Sequence, residues 1–166
     1  MSKSTEWTKL SQFQKSVIEK QHSEVPVKLG QIAKDLGLVV KKTTLTANIS
    51  GQIKEEQDGT VNIKINRHDV KTRQRYTLAH EISHFLLHRH LLKDGITDDV
   101  LYRSSQSTAI EREADRLAAD IIMPMEHVLR LKQLHATDKK GELLYEAIAE
   151  DMAVSAIALK NRLSVK

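Results

Sequence analysis

Residues 80–84 read His80-Glu81-Ile82-Ser83-His84, and this stretch constrains the fold more than any other. On a helix, side chains four apart stand one above the other, so His80 and His84 can grip one ion from the same face. Glu81 is turned roughly 100° from His80. It can reach a water beside that ion without being a ligand itself. Leu78, Ile82 and Phe85 fall on the other side and are apolar. Such a helix has to lie between a hydrophobic layer and a cleft. The chain has no cysteine, which excludes thiolate-held zinc, iron–sulfur clusters and cysteine nucleophiles, so any ion must sit on His, Asp or Glu.

The surrounding pattern predicts an α+β fold. After Pro26, Val27, Ile32 and Leu36 line one side of a helix that Gly37 stops. Leu38–Thr44 and Gly51–Glu56 read as strands, and Asp58-Gly59 leads into Val61–Asn66. There Val61, Ile63 and Ile65 alternate with Asn62, Lys64 and Asn66, the pattern of a hairpin with one buried face. A small, antiparallel three-stranded sheet with an open edge is expected. The helix bearing the histidines is predicted from about Thr72 to His88. Residues 91–107, with Gly95, Asp98-Asp99 and a serine-rich run, read as a long surface loop on the cleft rim. The next helix is predicted to start near Thr108, with Glu111 reaching back to close a capping box. Its stripe is Ile110, Ala114, Leu117, Ala118 and Ile121, and Pro124 limits it. Residues 1–24 are expected to form a polar extension with a short helix that frays. The core then spans 25–124, and 125–166 is a helical segment packed on it.

Two histidines need a third ligand. His90 has the outer spacing of one known zinc motif, but Leu87 stands where that motif needs a glycine for its turn. Among carboxylates, Glu113 borders the apolar stripe beside Ile110 and Leu117. Glu111 has a competing use as the cap, Asp115 lies farther round, and Asp120 borders the same side two turns on. Glu113 could equally pair with Arg116 at the surface, a contact of little energetic weight. Spacing leaves Glu113 only modestly ahead.

The stretches Arg75–His88 and Glu111–Pro124 resemble the ImmA/IrrE family of metallo-endopeptidases, with similarity running roughly from Pro26 to Leu163. The resemblance implies a zincin-like helical core and one zinc per chain. It implies His80, His84 and the carboxylate immediately before Ala114-Asp115, which is Glu113, as ligands. Asp115 stands where Asn is common in the family and Leu117 where Phe is common; neither is a ligand position. Two His and one Glu leave one position for water, from which Glu81 would take a proton and pass it to the leaving amine. His88 and Asp115 are candidates for supporting the ligands. Tyr76, Tyr102, Arg103, His127 and Tyr145 are candidates for the oxyanion, and the sequence does not choose among them. The substrate is expected as an added strand on the open sheet edge. By the resemblance it is a helix-turn-helix repressor whose cleavage releases mobile-element or stress-response genes.

A second class of function lies in the C-terminal segment, which has a helix-turn-helix flavour. Ile148 and Ala149 precede a turn at Met152–Val154, and Ser155 caps a last helix bearing Lys160, Asn161 and Arg162. Ala153 stands where that turn usually has Gly. The chain could then be a DNA-binding or toxin–antitoxin component with a structural or vestigial metal site, or a metal-stabilised interaction module. However, its 26 basic residues are interspersed with 22 acidic ones and only 4% of residues are aromatic, so nucleic acid is not the expected direct ligand. Glu81 also separates the classes, because a structural zinc site needs no carboxylate beside the ion. No secretory apolar region follows Lys3 and no apolar run nears the ~18 residues of a membrane span; a cytoplasmic protein is expected.

Overall fold

The structure, a computed structural model, describes residues 3–99 and 105–165, with the side chains of all of these except 99 and 105–108. Tyr102 and Arg103, two of the oxyanion candidates, lie outside the described residues. The fold is α+β, with seven α-helices and a four-stranded sheet among the described residues.

The strands are β1 (Val39–Thr43), β2 (Ile49–Glu55), β3 (Val61–Asn66) and β4 (Ile96–Asp99), in the order β1-β3-β2-β4. The β2–β3 hairpin forms as its alternation predicts, with Val61, Ile63 and Ile65 buried. At its turn the Asp58 carboxylate accepts from the Thr60 amide at 2.9 Å, and Gly59 takes φ +88°, a conformation open to glycine.

Two expectations about the sheet are corrected. It is mixed rather than antiparallel, because β1 runs parallel to β3, and it has a fourth strand. The link from β1 to β2 hops over the end of β3. Asn66, expected on the polar face, is buried there, and its amide nitrogen donates to the carbonyls of Leu45, Thr46 and Ile49. One side chain thus ties together three carbonyls of the crossover. The fourth strand, β4, comes from the stretch read as loop. It pairs antiparallel with β2, with a register shift between Ile49 and Gly51.

Among the described residues the α-helices are α1 (Gln12–Lys20), α2 (Leu29–Asp35), α3 (Lys71–Leu87), α4 (Ser105–Ile122), α5 (Met125–His135), α6 (Gly141–Met152) and α7 (Ala156–Arg162). Helix α3 lies across β2 and β3, and α4 packs on α3. Ala114, Leu117, Ala118 and Ile121 of α4 are fully buried, as the stripe predicts. Because α4 begins at Ser105, Thr108 is inside the helix and cannot be its N-cap.

The first 24 residues do not behave as a fraying extension. Thr5–Lys9 forms a 3-10 turn, Ser11 and Gln14 close a capping box on α1, and Trp7, Leu10, Val17 and Ile18 enter the core. Glu6 is buried and grips Arg116 through both Nε and Nη2. The Arg116 guanidinium outweighs burial and holds the Glu6 carboxyl down to about 2. The buried Asp120 accepts from the Ser4 amide and hydroxyl and lies 3.1 Å from Arg162. It therefore fastens both ends of the chain to α4.

At the C-terminal end, Ala153 closes α6 in the left-handed conformation at φ 55°, and the Ser155 hydroxyl caps α7. The basic residues of α7 are used internally: Lys160 pairs with Glu142, and Arg162 with Asp120 and the Met123 carbonyl. The helical hairpin is present, but no DNA-reading arrangement is confirmed for it.

Gly51 sets how closely α3 approaches the sheet. A Cβ at this position would stand 2.5 Å from Thr77 Cγ2 and 3.2 Å from the Lys64 carbonyl oxygen, so β2 and α3 are in contact through a missing side chain. Gly51→Ala is expected to lower stability by about 1–3 kcal/mol in urea denaturation; an unchanged midpoint would show that this contact relaxes freely.

Candidate metal centre

Helix α3 and its C-cap residue present His80, His84 and His88 at successive four-residue steps, each of them buried. The Nε2 atoms of His80 and His84 face each other at 3.1 Å, with the rings nearly perpendicular at 85°. Glu111 reaches in from α4, one oxygen 2.8 Å from His80 Nε2 and the other 3.2 Å from His84 Nε2. These three residues, all buried, are placed to hold one metal ion.

This arrangement corrects the expected third ligand. Glu113 points elsewhere: its side chain is 28% exposed and lies 3.2 Å from Lys9 Nζ and 3.4 Å from His88 Nε2. Both glutamates border the apolar stripe of α4, on opposite sides. With α4 starting a turn earlier than predicted, Glu111 is freed from capping, and its border is the one that faces α3. His90 is exposed in the 3-10 turn after α3, and Asp120 is held by Ser4 and Arg162, so neither joins the group.

The outer nitrogens of the two imidazoles are also held. Asp115 Oδ1 lies 2.8 Å from His80 Nδ1; as a carboxylate it accepts, which fixes the proton on Nδ1 and turns Nε2 inward. One helical turn of α4 thus brackets the His80 ring between Glu111 and Asp115. For His84, Nδ1 lies 2.9 Å from His88 Nδ1, and His88 Nε2 lies 3.4 Å from Glu113, which meets Lys9. Asp115 thus stands behind His80 and His88 behind His84, with Glu113 at the end of the chain behind His84. Partners of this kind orient metal-binding imidazoles and raise their basicity.

The electrostatics suit a cation. Burial disfavours charge on His80, but the hydrogen bonds that its ring donates to Asp115 and Glu111 outweigh it and raise its proton affinity well above normal. Burial also lowers the affinity of His84 for a proton. Glu111 is desolvated yet held strongly ionised by the two imidazoles. Two inward nitrogens and a carboxylate cannot all be satisfied by one shared proton, whereas one divalent ion satisfies all three.

Glu81 is fully buried, and neither of its carboxylate oxygens has a hydrogen-bond partner among the described residues. Burial pushes its proton affinity well up, a trend that His80 opposes and Asp98 and Glu111 reinforce. Asp98 of β4 was not foreseen as a site residue. Its carboxylate, together with His80 and Glu81, forms a second buried group with potential ligand atoms within 4.8 Å of one another. Strand β4 delivers it, and reading 91–107 as a loop hid it.

The remaining candidates separate cleanly. The Tyr76 hydroxyl lies 3.4 Å from the Asp115 carbonyl and lines the cleft beside His80. His127 bonds the His22 carbonyl and Arg130, and Tyr145 packs against the core; neither lines that cleft.

In a chelator competition, Glu111→Ala is expected to weaken zinc binding by at least ~100-fold, and Glu113→Ala, which acts only through His88, by about tenfold or less. The opposite order would return Glu113 to the ligand set.

Residues 28–164 match the peptidase M78 family, described as the IrrE N-terminal-like domain. No curated protein matches the chain.

Proposed function

The chain belongs to the peptidase M78 family, a family of metallopeptidases, and from that premise we propose that it is a gluzincin-like zinc endopeptidase, with His80, His84 and Glu111 as ligands and Glu81 as the proton carrier. The observation that carries this reading is the buried Glu81 carboxylate, whose two oxygens lack partners among the described residues beside the His80–His84–Glu111 group. An unpaired buried carboxylate is costly, and a purely structural ion site has no use for one.

Zinc suits two imidazoles and a carboxylate, and when bound it would polarise a water and the scissile carbonyl. The protein supplies the rest. Asp115 holds His80 with Nε2 inward, and His88, backed by Glu113 and Lys9, does the same for His84. Glu81 accepts the proton of the attacking water and returns it to the departing amine. The dry surroundings that raise its proton affinity favour the protonated form it passes through.

The resemblance to the ImmA/IrrE family supports a helix-turn-helix repressor in the cytoplasm as substrate. Among the described residues, no helix is long and apolar enough to cross a membrane. A DNA-reading role for the C-terminal helices draws no support from α7, since Lys160 and Arg162 face acidic partners within the chain.

Glu81→Gln is expected to retain zinc and fold while losing roughly 10²–10⁴-fold in cleavage rate, read as new N-termini appearing in a cytoplasmic protein extract treated with each form. Undiminished cleavage by the variant would remove Glu81 from the mechanism.

A further inference from the structure

A cleft of about 860 Å³ opens beside the metal centre, with His80, Asp98 and Asp115 among its lining residues. This is within the range of roughly 300–1,000 Å³ typical of binding pockets. Part of its lining comes from the start of α3, with Val70, Arg73 and Tyr76, and part from α7, with Ile157, Ala158 and Asn161.

Val70 and Ile157 are 70% and 74% exposed, the two highest values among the large apolar side chains of the described residues, and they line the same cleft. Neither sits on a loose segment. Arg75 of α3 donates to the carbonyls of Val27 and Ala153, and α7 is fixed by its Ser155 cap, by the Lys160–Glu142 pair and by Arg162 on Asp120. Two aliphatic side chains are thus held in water by well-anchored elements.

The cations of the cleft differ in their partners. Arg116 is held by Glu6, and Lys3 lies over the Trp7 ring and 3.9 Å from Glu19. Arg162 is paired with Asp120. Arg73 is exposed, and its contact among the described residues is the Ser50 hydroxyl at 3.3 Å. No carboxylate of the described chain pairs with it.

We propose that this cleft is the substrate-binding site of the peptidase, seating an extended segment of the protein substrate next to the scissile bond. An aliphatic side chain of that segment packs between Val70 and Ile157, and a neighbouring acidic side chain meets Arg73. The C-terminal helix α7 is then a specificity wall of the active site. This inference rests on the peptidase reading, and continuity of the cleft with His80 connects the two.

The test uses the full-length zinc-loaded chain and two hydroxamate-capped peptides, which anchor on the ion: one carries leucine and glutamate, the other alanine and glutamine at the same positions. Titration calorimetry is expected to show wild type preferring the first by at least about tenfold, the scale of aliphatic discrimination in an apolar pocket. Ile157→Asp and Val70→Asp should erase the leucine part of that preference, and Arg73→Ala the glutamate part, with zinc content unchanged. The two apolar positions are exposed, so these variants should fold; Ile157→Ala, a milder change, should show the same loss in part. Equal binding of both peptides by wild type, or a preference that survives all these variants, overturns the cleft assignment alone. A wild type that takes up neither zinc nor either peptide overturns the peptidase reading and this one with it.

Discussion

Two imidazole nitrogens, on His80 and His84, face each other at 3.1 Å with a carboxylate oxygen of Glu111 against each, and much of the remaining structure serves that approach. It requires α3 and α4 to lie close together, which Ala114 and Ala118 permit by presenting only methyl groups on the buried face. It also requires α3 to lie close to the sheet, which Gly51 permits by presenting no side chain at all. The supporting groups come from the same two helices: Asp115 behind His80, and His88 with Glu113 behind His84. The contacts that pack α3 on α4 here are made by the same atoms that could hold a cation.

Local pattern carried part of this architecture in plain view. The His-Glu-x-x-His stretch lies on a helix as its spacing requires. The alternation of Val61, Ile63 and Ile65 after Asp58-Gly59 makes the hairpin, and the apolar stripe of α4 is buried as its period predicts. Where local pattern failed, the deciding contact was long-range. Nothing local to Leu38–Thr44 says whether the strand runs parallel or antiparallel to its neighbour; the Asn66 amide, gathering three carbonyls of the crossover, is visible only once the sheet is formed. Strand β4 has few residues and is half acidic, so its strand character comes from pairing with β2. The polar N-terminal residues gain their order from Asp120 and Arg116, more than a hundred positions away.

The misplaced ligand has the same origin. Glu111 and Glu113 flank one stripe, and helical geometry cannot say which flank meets the histidines. A competing capping role for Glu111 leaves Glu113 only modestly ahead, and the family resemblance then implies Glu113. The capping role depends on starting α4 at Thr108. With the helix beginning at Ser105, that role disappears. The i, i+4 pairing of Glu111 with Asp115 was the available signal, since two carboxylates one turn apart can bracket a single imidazole ring. Asp98 offered a weaker one, in the Ile96-Thr97-Asp98 alternation.

The central claim is that His80, His84 and Glu111 form a zinc centre in a working peptidase fold. X-ray absorption on the zinc-reconstituted chain, with elemental mass spectrometry on the same sample, addresses it most directly. The account predicts close to one zinc per chain, in a shell of nitrogen and oxygen donors at ~2.0–2.2 Å that includes two imidazoles. Failure to retain zinc after reconstitution, or the same spectrum and stoichiometry in a chain with His80 and His84 both replaced by Ala, would contradict it.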